Sequence, residues 1–172
     1  MLTASSTTIG SADEGSRSDP NPYRSPLDLA YSPDGALLAV SDRSAREAVI
    51  FDARKGSVAR RVPLRGEPTG VAFAADRTLL VAEYDAGSVA AIDLEEGAVT
   101  RRYAVGLRPM GIALSHSRGL LVAANTVSDD VSIVDLTTGE ERARIRAPRE
   151  PFFVAVSPDG RKAAVTNLLP RG

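Results

Sequence analysis

Apolar residues in this chain fall in short runs of four to eight, not at helical spacing. From Pro26 onward the runs are rich in Val, Ile, Leu, Tyr and Phe and end at turn residues, which predicts strands. Leu27, Leu29 and Tyr31 occupy alternate positions, as on a half-buried strand. SPDG at Ser32–Gly35 and again at Ser157–Gly160 predicts a tight turn, with proline presetting φ and glycine accepting a positive one. D-A-R-K-G (52–56) and its counterparts at 93–97 and 135–139 predict a second hairpin. A polar, arginine-rich run follows each of these: SVARRVPL, AVTRRYAV, EERARIRA. Such runs suit exposed edge strands, where charge and Pro63 discourage further pairing.

The pattern repeats. Pro26, Pro68, Pro109 and Pro151 are 42, 41 and 42 residues apart, and four residues after them come Ala30, Ala72, Ala113 and Ala155. The runs AVIFD, VAAID and VSIVD end at Asp52, Asp93 and Asp135, each followed four residues on by Gly56, Gly97 or Gly139. Four columns at one period identify a repeat protein, and about 42 residues with four strands per unit matches a propeller blade. The expected fold is all-β, a β-propeller of four-stranded antiparallel blades that is incomplete in this chain. The units are 26–67, 68–108 and 109–150, with the first two strands of a fourth in 151–172. Residues 1–25 scatter apolar residues singly among Ser, Thr, Asp, Gly and Pro, which predicts a disordered tail. That tail shows neither the basic start nor the apolar run of about 7–15 residues of a secretory signal.

Propeller rings typically hold about four to eight blades. Three and a half cannot close, and an open arc exposes an apolar sheet face. The expectation is an N-terminal fragment of a longer protein whose C-terminal blades complete the ring. The alternative is closure by association with a second copy.

The segments PMGIALSHSRGLLVAANTVSDDVSIVDLTTG and PFFVAVSPDGRKAAVTN resemble the YVTN-type β-propeller repeat. The second unit departs most, with Tyr84 aligned where Asn125 and Asn167 stand. Tryptophan is absent, so the W-D signature and the aspartate box ending in Trp do not fit. The resemblance implies an exported protein, periplasmic or at the cell surface. It also implies that such propellers sit beside c-type cytochrome or peroxidase-like domains in some relatives, and bind sugar lactones or metals in others.

Composition narrows the chemistry. The chain has 172 residues, 43% apolar and 25% charged, with 21 basic and 22 acidic side chains, ordinary for one soluble domain. Without cysteine there is no thiol nucleophile, zinc ribbon or C-x-x-C-H haem attachment within it. The lone histidine, His116, excludes multi-histidine metal sites and falls in SHSR, the counterpart of SPDG, where an exposed turn residue is expected. A net charge of −1 argues against nucleic acid as partner. No apolar run approaches the ~18 residues of a membrane helix. Arg60–Arg61 and Arg101–Arg102 look basic, but Glu95, Glu96, Glu140 and Glu141 offset them and no aromatic platform is interleaved. No cofactor is expected, and no catalytic or metal-binding residue is assigned.

A meander places the loop after strand two and the connection between units on one face, with the short hairpins opposite. The first set is longer and more varied: Ser41–Glu47, Glu83–Ser88 and Asn125–Asp130, with Arg65–Glu67, Gly106–Arg108 and Arg149–Glu150 between units. Varied loops on a fixed scaffold are the usual arrangement for binding. Asp42, Arg65, Glu83, Tyr84, Asp85, Arg108, Asn125, Asp129 and Arg149 are therefore the candidates to contact a protein or small ligand. The alternative is that they satisfy their own turns. Asp52, Asp93 and Asp135 recur with the fold, so a turn-capping role is expected. Three functions remain open: a non-catalytic binding scaffold, the propeller of a larger haem oxidoreductase, and a lactonase-like hydrolase with Glu83 and Asp42 among its acids.

Overall fold

A computed structural model describes residues 24–74 and 77–168. The expected disordered tail lies outside them except for Arg24 and Ser25, which are bound to the first sheet: Arg24 Nη1 donates to Asp42 Oδ2 at 3.1 Å, and the Ser25 amide to Asp42 Oδ1 at 3.3 Å.

Among the described residues fourteen strands form four antiparallel sheets, each in chain order. The first holds β1 (Pro26–Tyr31), β2 (Leu37–Asp42), β3 (Glu47–Asp52) and β4 (Ser57–Pro63). The second holds β5 (Pro68–Phe73), β6 (Thr78–Glu83), β7 (Ser88–Asp93) and β8 (Ala98–Ala104). The third holds β9 (Pro109–Ser115), β10 (Leu120–Asn125), β11 (Asp130–Asp135) and β12 (Glu141–Arg146), and the fourth β13 (Pro151–Val156) and β14 (Ala163–Asn167). One 3₁₀ turn, Tyr84–Ala86, interrupts the pattern.

The sheets stack face to face. Their backbones approach at the inner strands, β1 with β5, β5 with β9 and β9 with β13. Farther out, side chains fill the gap. Ala39, Ile50 and Val62 of the first sheet cluster with Val71, Phe73, Leu79, Val81 and Ile92 of the second. Leu80, Val89 and Tyr103 of the second cluster with Ile112, Leu121 and Val134 of the third. Strand alternation assigns the faces: Leu29, Val40 and Val49 pair on the leading face of the first sheet, Ala30, Ala39 and Ile50 on its trailing face.

Small residues let the inner strands come together. A Cβ at Gly70 would lie 2.5 Å from the Met110 carbonyl oxygen, and one at Gly111 2.6 Å from that of Phe152. At the equivalent place in the first sheet stands Asp28, whose Oδ2 accepts the Val71 amide at 2.9 Å. The outer strands β4, β8 and β12 are exposed apart from Val62, Tyr103 and the half-buried Val99, as their charge predicts.

Candidate functional site

Backbone hydrogen bonds tie each loop after a second strand to the segment entering the same sheet. Arg43 N donates to Ser25 O at 3.0 Å, Tyr84 N to Glu67 O at 2.8 Å, Thr126 N to Arg108 O at 3.1 Å, and Leu168 N to Glu150 O at 3.1 Å. The loops and inter-sheet connections therefore share one rim. Side chains strengthen the tie: Asp85 Oδ1 accepts the Glu67 amide at 2.7 Å, and Asp129 Oδ1 the Glu150 amide at 2.8 Å.

Four polar residues end the second strands opposite the prolines: Asp42, Glu83, Asn125 and Asn167. Glu83, not Tyr84, is thus the counterpart of Asn125 and Asn167. The first hairpin of the second unit is one residue shorter, which displaces the alignment expected from the sequence.

Glu83 is fully buried. Arg102 grips it with Nε to Oε2 at 2.9 Å and Nη2 to Oε1 at 3.2 Å, and Ser88 Oγ and the Arg65 amide donate to it at 2.8 and 3.1 Å. Burial alone would raise its pKa, but Arg102 and Ser88 outweigh that and hold it below the ordinary value. Asp42 is likewise lowered: burial opposes, while the amides of Ala45 and Ser25 and the Arg24 guanidinium win. Asn125 donates to Asp130 Oδ1 at 2.7 Å and Ser132 Oγ at 2.8 Å, and among the described residues its own buried Oδ1 has no partner.

Each full sheet repeats a carboxylate–arginine pair here: Glu47 with Arg61, Glu83 with Arg102, and Asp130 with Arg144 at 3.7 Å. By sequence these arginines are edge-strand charge; the structure pairs them with carboxylates. Their 41- and 42-residue spacing was the available signal.

The exposed part of the rim centres on Tyr84. The guanidinium carbons of Arg43 and Arg108 stand 5.3 and 5.2 Å from its ring centroid, one from the first sheet's loop and one from the connection into the third. Arg43 pairs with Glu67 at 2.8 Å, and Arg46 with Asp85 at 2.9 Å. Arg65 reaches Ser88 Oγ at 3.2 Å and lies 3.6 Å from Glu83. Of the nine predicted residues, Arg65, Glu83, Tyr84, Asp85 and Arg108 come together. Asp42 lies to one side in the first sheet, and Asn125, Asp129 and Arg149 to the other. Arg43, Arg46 and Glu67, missed by the sequence reading, complete the cluster; they lay inside the loops it delimited.

Arg108 differs from its neighbours. It is exposed, and among the described residues its side chain has the Tyr84 ring as sole partner. Its backbone is left-handed (φ 55°) before Pro109, as that of Glu150 is (φ 54°) before Pro151, so this turn recurs with the unit.

The opposite face is built of turns. Asp52, Asp93 and Asp135 each accept two amides through Oδ1, from Arg54 and Lys55, Glu95 and Glu96, and Thr137 and Thr138. These bonds lower their pKa values, with the Lys55, Glu96 and Thr138 amides first in effect. Arg60 reaches across to the next sheet, donating to the carbonyls of Glu96 at 2.9 Å and Glu95 at 3.2 Å. Arg101 does the same to Leu136, Thr137 and Thr138. Arg60 thus lies beside Glu95 and Glu96, expected to offset it, and is held by their backbone carbonyls. A Cβ at Gly97 would overlap Arg60, and one at Gly139 would overlap Arg101.

A cleft of about 120 Å³ between Leu37, Ile50, Arg60 and Ile92 lies on this turn face, away from Tyr84. It is smaller than the roughly 300 Å³ at which ligand pockets begin. His116 is exposed in its turn. Among the described residues no group of three acidic, His or Cys side chains could hold a metal ion, and no helix is long and apolar enough to cross a membrane.

No family model matches the chain, and no curated protein is similar to it. Solved structures are. Hydrazine synthase of Kuenenia stuttgartiensis matches with a TM-score of 0.77 and 23% identity over 87% of this chain and 45% of its own. A functionally unknown protein from Desulfotomaculum acetoxidans matches with 0.70 and 16% over 83% of this chain and 49% of its own. The sheets are blades of a β-propeller. At these identities the likeness shows the fold alone, and the chain spans less than half of either structure.

Proposed function

We propose that this chain is a non-catalytic propeller module that binds a protein or small ligand on its loop rim, with Tyr84 and Arg108 at the centre of contact. The observation that carries the reading is Arg108: an exposed guanidinium on the rim, stacked on the Tyr84 ring and paired with no carboxylate among the described residues. Arg43 and Arg46 are engaged by Glu67 and Asp85, so the rim presents Arg108 as its available cation. Its match is a carboxylate-bearing ligand, such as an acidic peptide segment. No step of catalysis is assigned, since Asp42 and Glu83, the acids a hydrolase would need, are buried and held by Arg24 and Arg102.

The test is titration with an oligoglutamate peptide followed by NMR. Shifts should centre on Tyr84 and Arg108, and Arg108→Ala should weaken binding about tenfold, equivalent to one charge-assisted bond of roughly 1.4 kcal/mol. Equal affinity of Arg108→Ala and the unaltered chain, or shifts confined to the turn face, would overturn it.

A second reading is the propeller part of a larger oxidoreductase, which the name of hydrazine synthase favours; YVTN-type repeats and an exported location rest on the sequence resemblance alone. With no cysteine in this chain, a covalently bound haem would have to be attached elsewhere. A C-x-x-C-H motif downstream in the same reading frame supports this reading, and its absence removes the c-type form.

A further inference from the structure

The rim departs from its own repeat where the second sheet hands over to the third. The residue before the proline that opens an inner strand is Ser25, Glu67 or Glu150 in the other units, and here it is Arg108. One position earlier, Arg24, Gly66 and Arg149 give way to Leu107. In the facing loop, two residues after the polar end of the second strand, Val127 stands where the first two sheets have Ser44 and Asp85.

In the second sheet these places hold one another, since Asp85 Oδ1 accepts the Glu67 amide at 2.7 Å. In the third sheet only the backbones are tied. The Leu107 amide donates to Ser128 Oγ at 3.0 Å, the Val127 amide to Leu107 O at 3.2 Å, and the Thr126 amide to Arg108 O at 3.1 Å. The side chains stay outside: Leu107 is 60% and Val127 51% exposed, with the exposed Arg108 beside them. The second and third sheets each have a sheet on either side, so this exposure belongs to the interior of the stack. A feature that recurs with the unit is explained by the unit. Two aliphatic side chains held in water by a fixed backbone, at the connection that departs, are not. Neighbouring exposed apolar groups rimmed by polar ones mark a contact surface.

We propose that Leu107 and Val127 are the apolar half of the site whose cationic half is Arg108. Its partner is an extended peptide segment with a bulky aliphatic side chain two residues from an aspartate or glutamate. The inference rests on the reading of Arg108 as the anion contact of the rim, and adds what must lie beside the anion. A carboxylate alone would leave Leu107 and Val127 in water. Positions i and i+2 of an extended chain project to one face roughly 7 Å apart. Such a segment engages both halves at once, its carboxylate accepting the N–H groups of the guanidinium and its aliphatic side chain covering the apolar pair.

Two short blocked peptides in a glycine–serine background test this by NMR titration of the 172-residue chain. One carries leucine two positions before glutamate, and the other has that leucine changed to serine. The leucine peptide should bind about tenfold tighter, with shifts at Leu107 and Val127 as well as Tyr84. In the double variant Leu107→Ser with Val127→Ser the two peptides should bind alike, while oligoglutamate binds as it does to the unaltered chain. Both positions are exposed, so the urea midpoint should not move. Equal binding of the two peptides by the unaltered chain overturns the apolar half alone when oligoglutamate still depends on Arg108; loss of that dependence overturns the reading beneath it. A leucine advantage that survives in the double variant also overturns the proposal. So do shifts at Leu107 and Val127 that grow with protein concentration in the absence of peptide, the mark of a second copy on this surface.

Discussion

Glu83 shows how a residue singled out for binding serves the scaffold. It is a fully buried carboxylate with a bidentate arginine, a serine hydroxyl and a backbone amide upon it. Glu83→Gln leaves Arg102 facing a neutral amide and should cost about 3 kcal/mol, read from the urea midpoint. The sign of its pH dependence follows from its lowered pKa. Below its ordinary value of 4.5 the unfolded chain takes up the proton first. Its contribution is therefore complete above about that pH and is lost as pH falls through the lower folded value. The acid limb of the stability curve should be shallower in Glu83→Gln than in the unaltered chain. Gly70 makes a steric case: a methyl group there meets the Met110 carbonyl at 2.5 Å, and Gly70→Ala should lose about 1–3 kcal/mol in the same assay. At Arg108 the direction reverses. Glycine accepts φ 55° without a Cβ penalty, so Arg108→Gly should gain up to about 1 kcal/mol while losing the anionic ligand.

At the scale of the strand, neighbouring arginines do different work. Side chains alternate across β8, so Arg101 faces the third sheet and caps its turn, while Arg102 turns back to Glu83. Arg101→Ala removes exposed bonds to carbonyls and should cost about 1 kcal/mol, with faster amide exchange at Gly139. Arg102→Ala strands a buried carboxylate and should cost about 3 kcal/mol or more. A double-mutant comparison of midpoints separates them. The sequence showed the doublet but not this division, because which arginine faces which way depends on a register shift between Ala91 and Ile92. What the sequence did show was whatever recurs with the unit: the prolines, the inner-strand alanines, and the aspartates and glycines of the turns. The rim was less legible. Its loops were located correctly, but a one-residue shortening put Tyr84 in Glu83's place, and pairs such as Arg46 with Asp85 join residues from separate units.

Across the whole molecule, each sheet leans on its neighbours, and protection should follow that dependence. β6 and β10 have sheets on both sides and are almost wholly buried, whereas β14 is largely exposed. Hydrogen exchange should be slowest in β6 and β10 and fastest in β14; equal rates in all three would contradict a stack that frays from the fourth sheet. Each joint also has a direction. The outer strand of one sheet supplies the arginine, and the following sheet supplies the turn that a glycine keeps clear for it. Arg60 and Arg101 fill this role, but Ala143 occupies the corresponding register in the third sheet. This bears on how such a gene can lengthen. A tandem duplication of the second unit would arrive fitted at both ends, its turn receiving a guanidinium from the unit before and its own arginine serving the unit after. A duplicate of the third unit would inherit the receiving turn but offer nothing to its successor, so growth by copying is favoured on one side of Ala143.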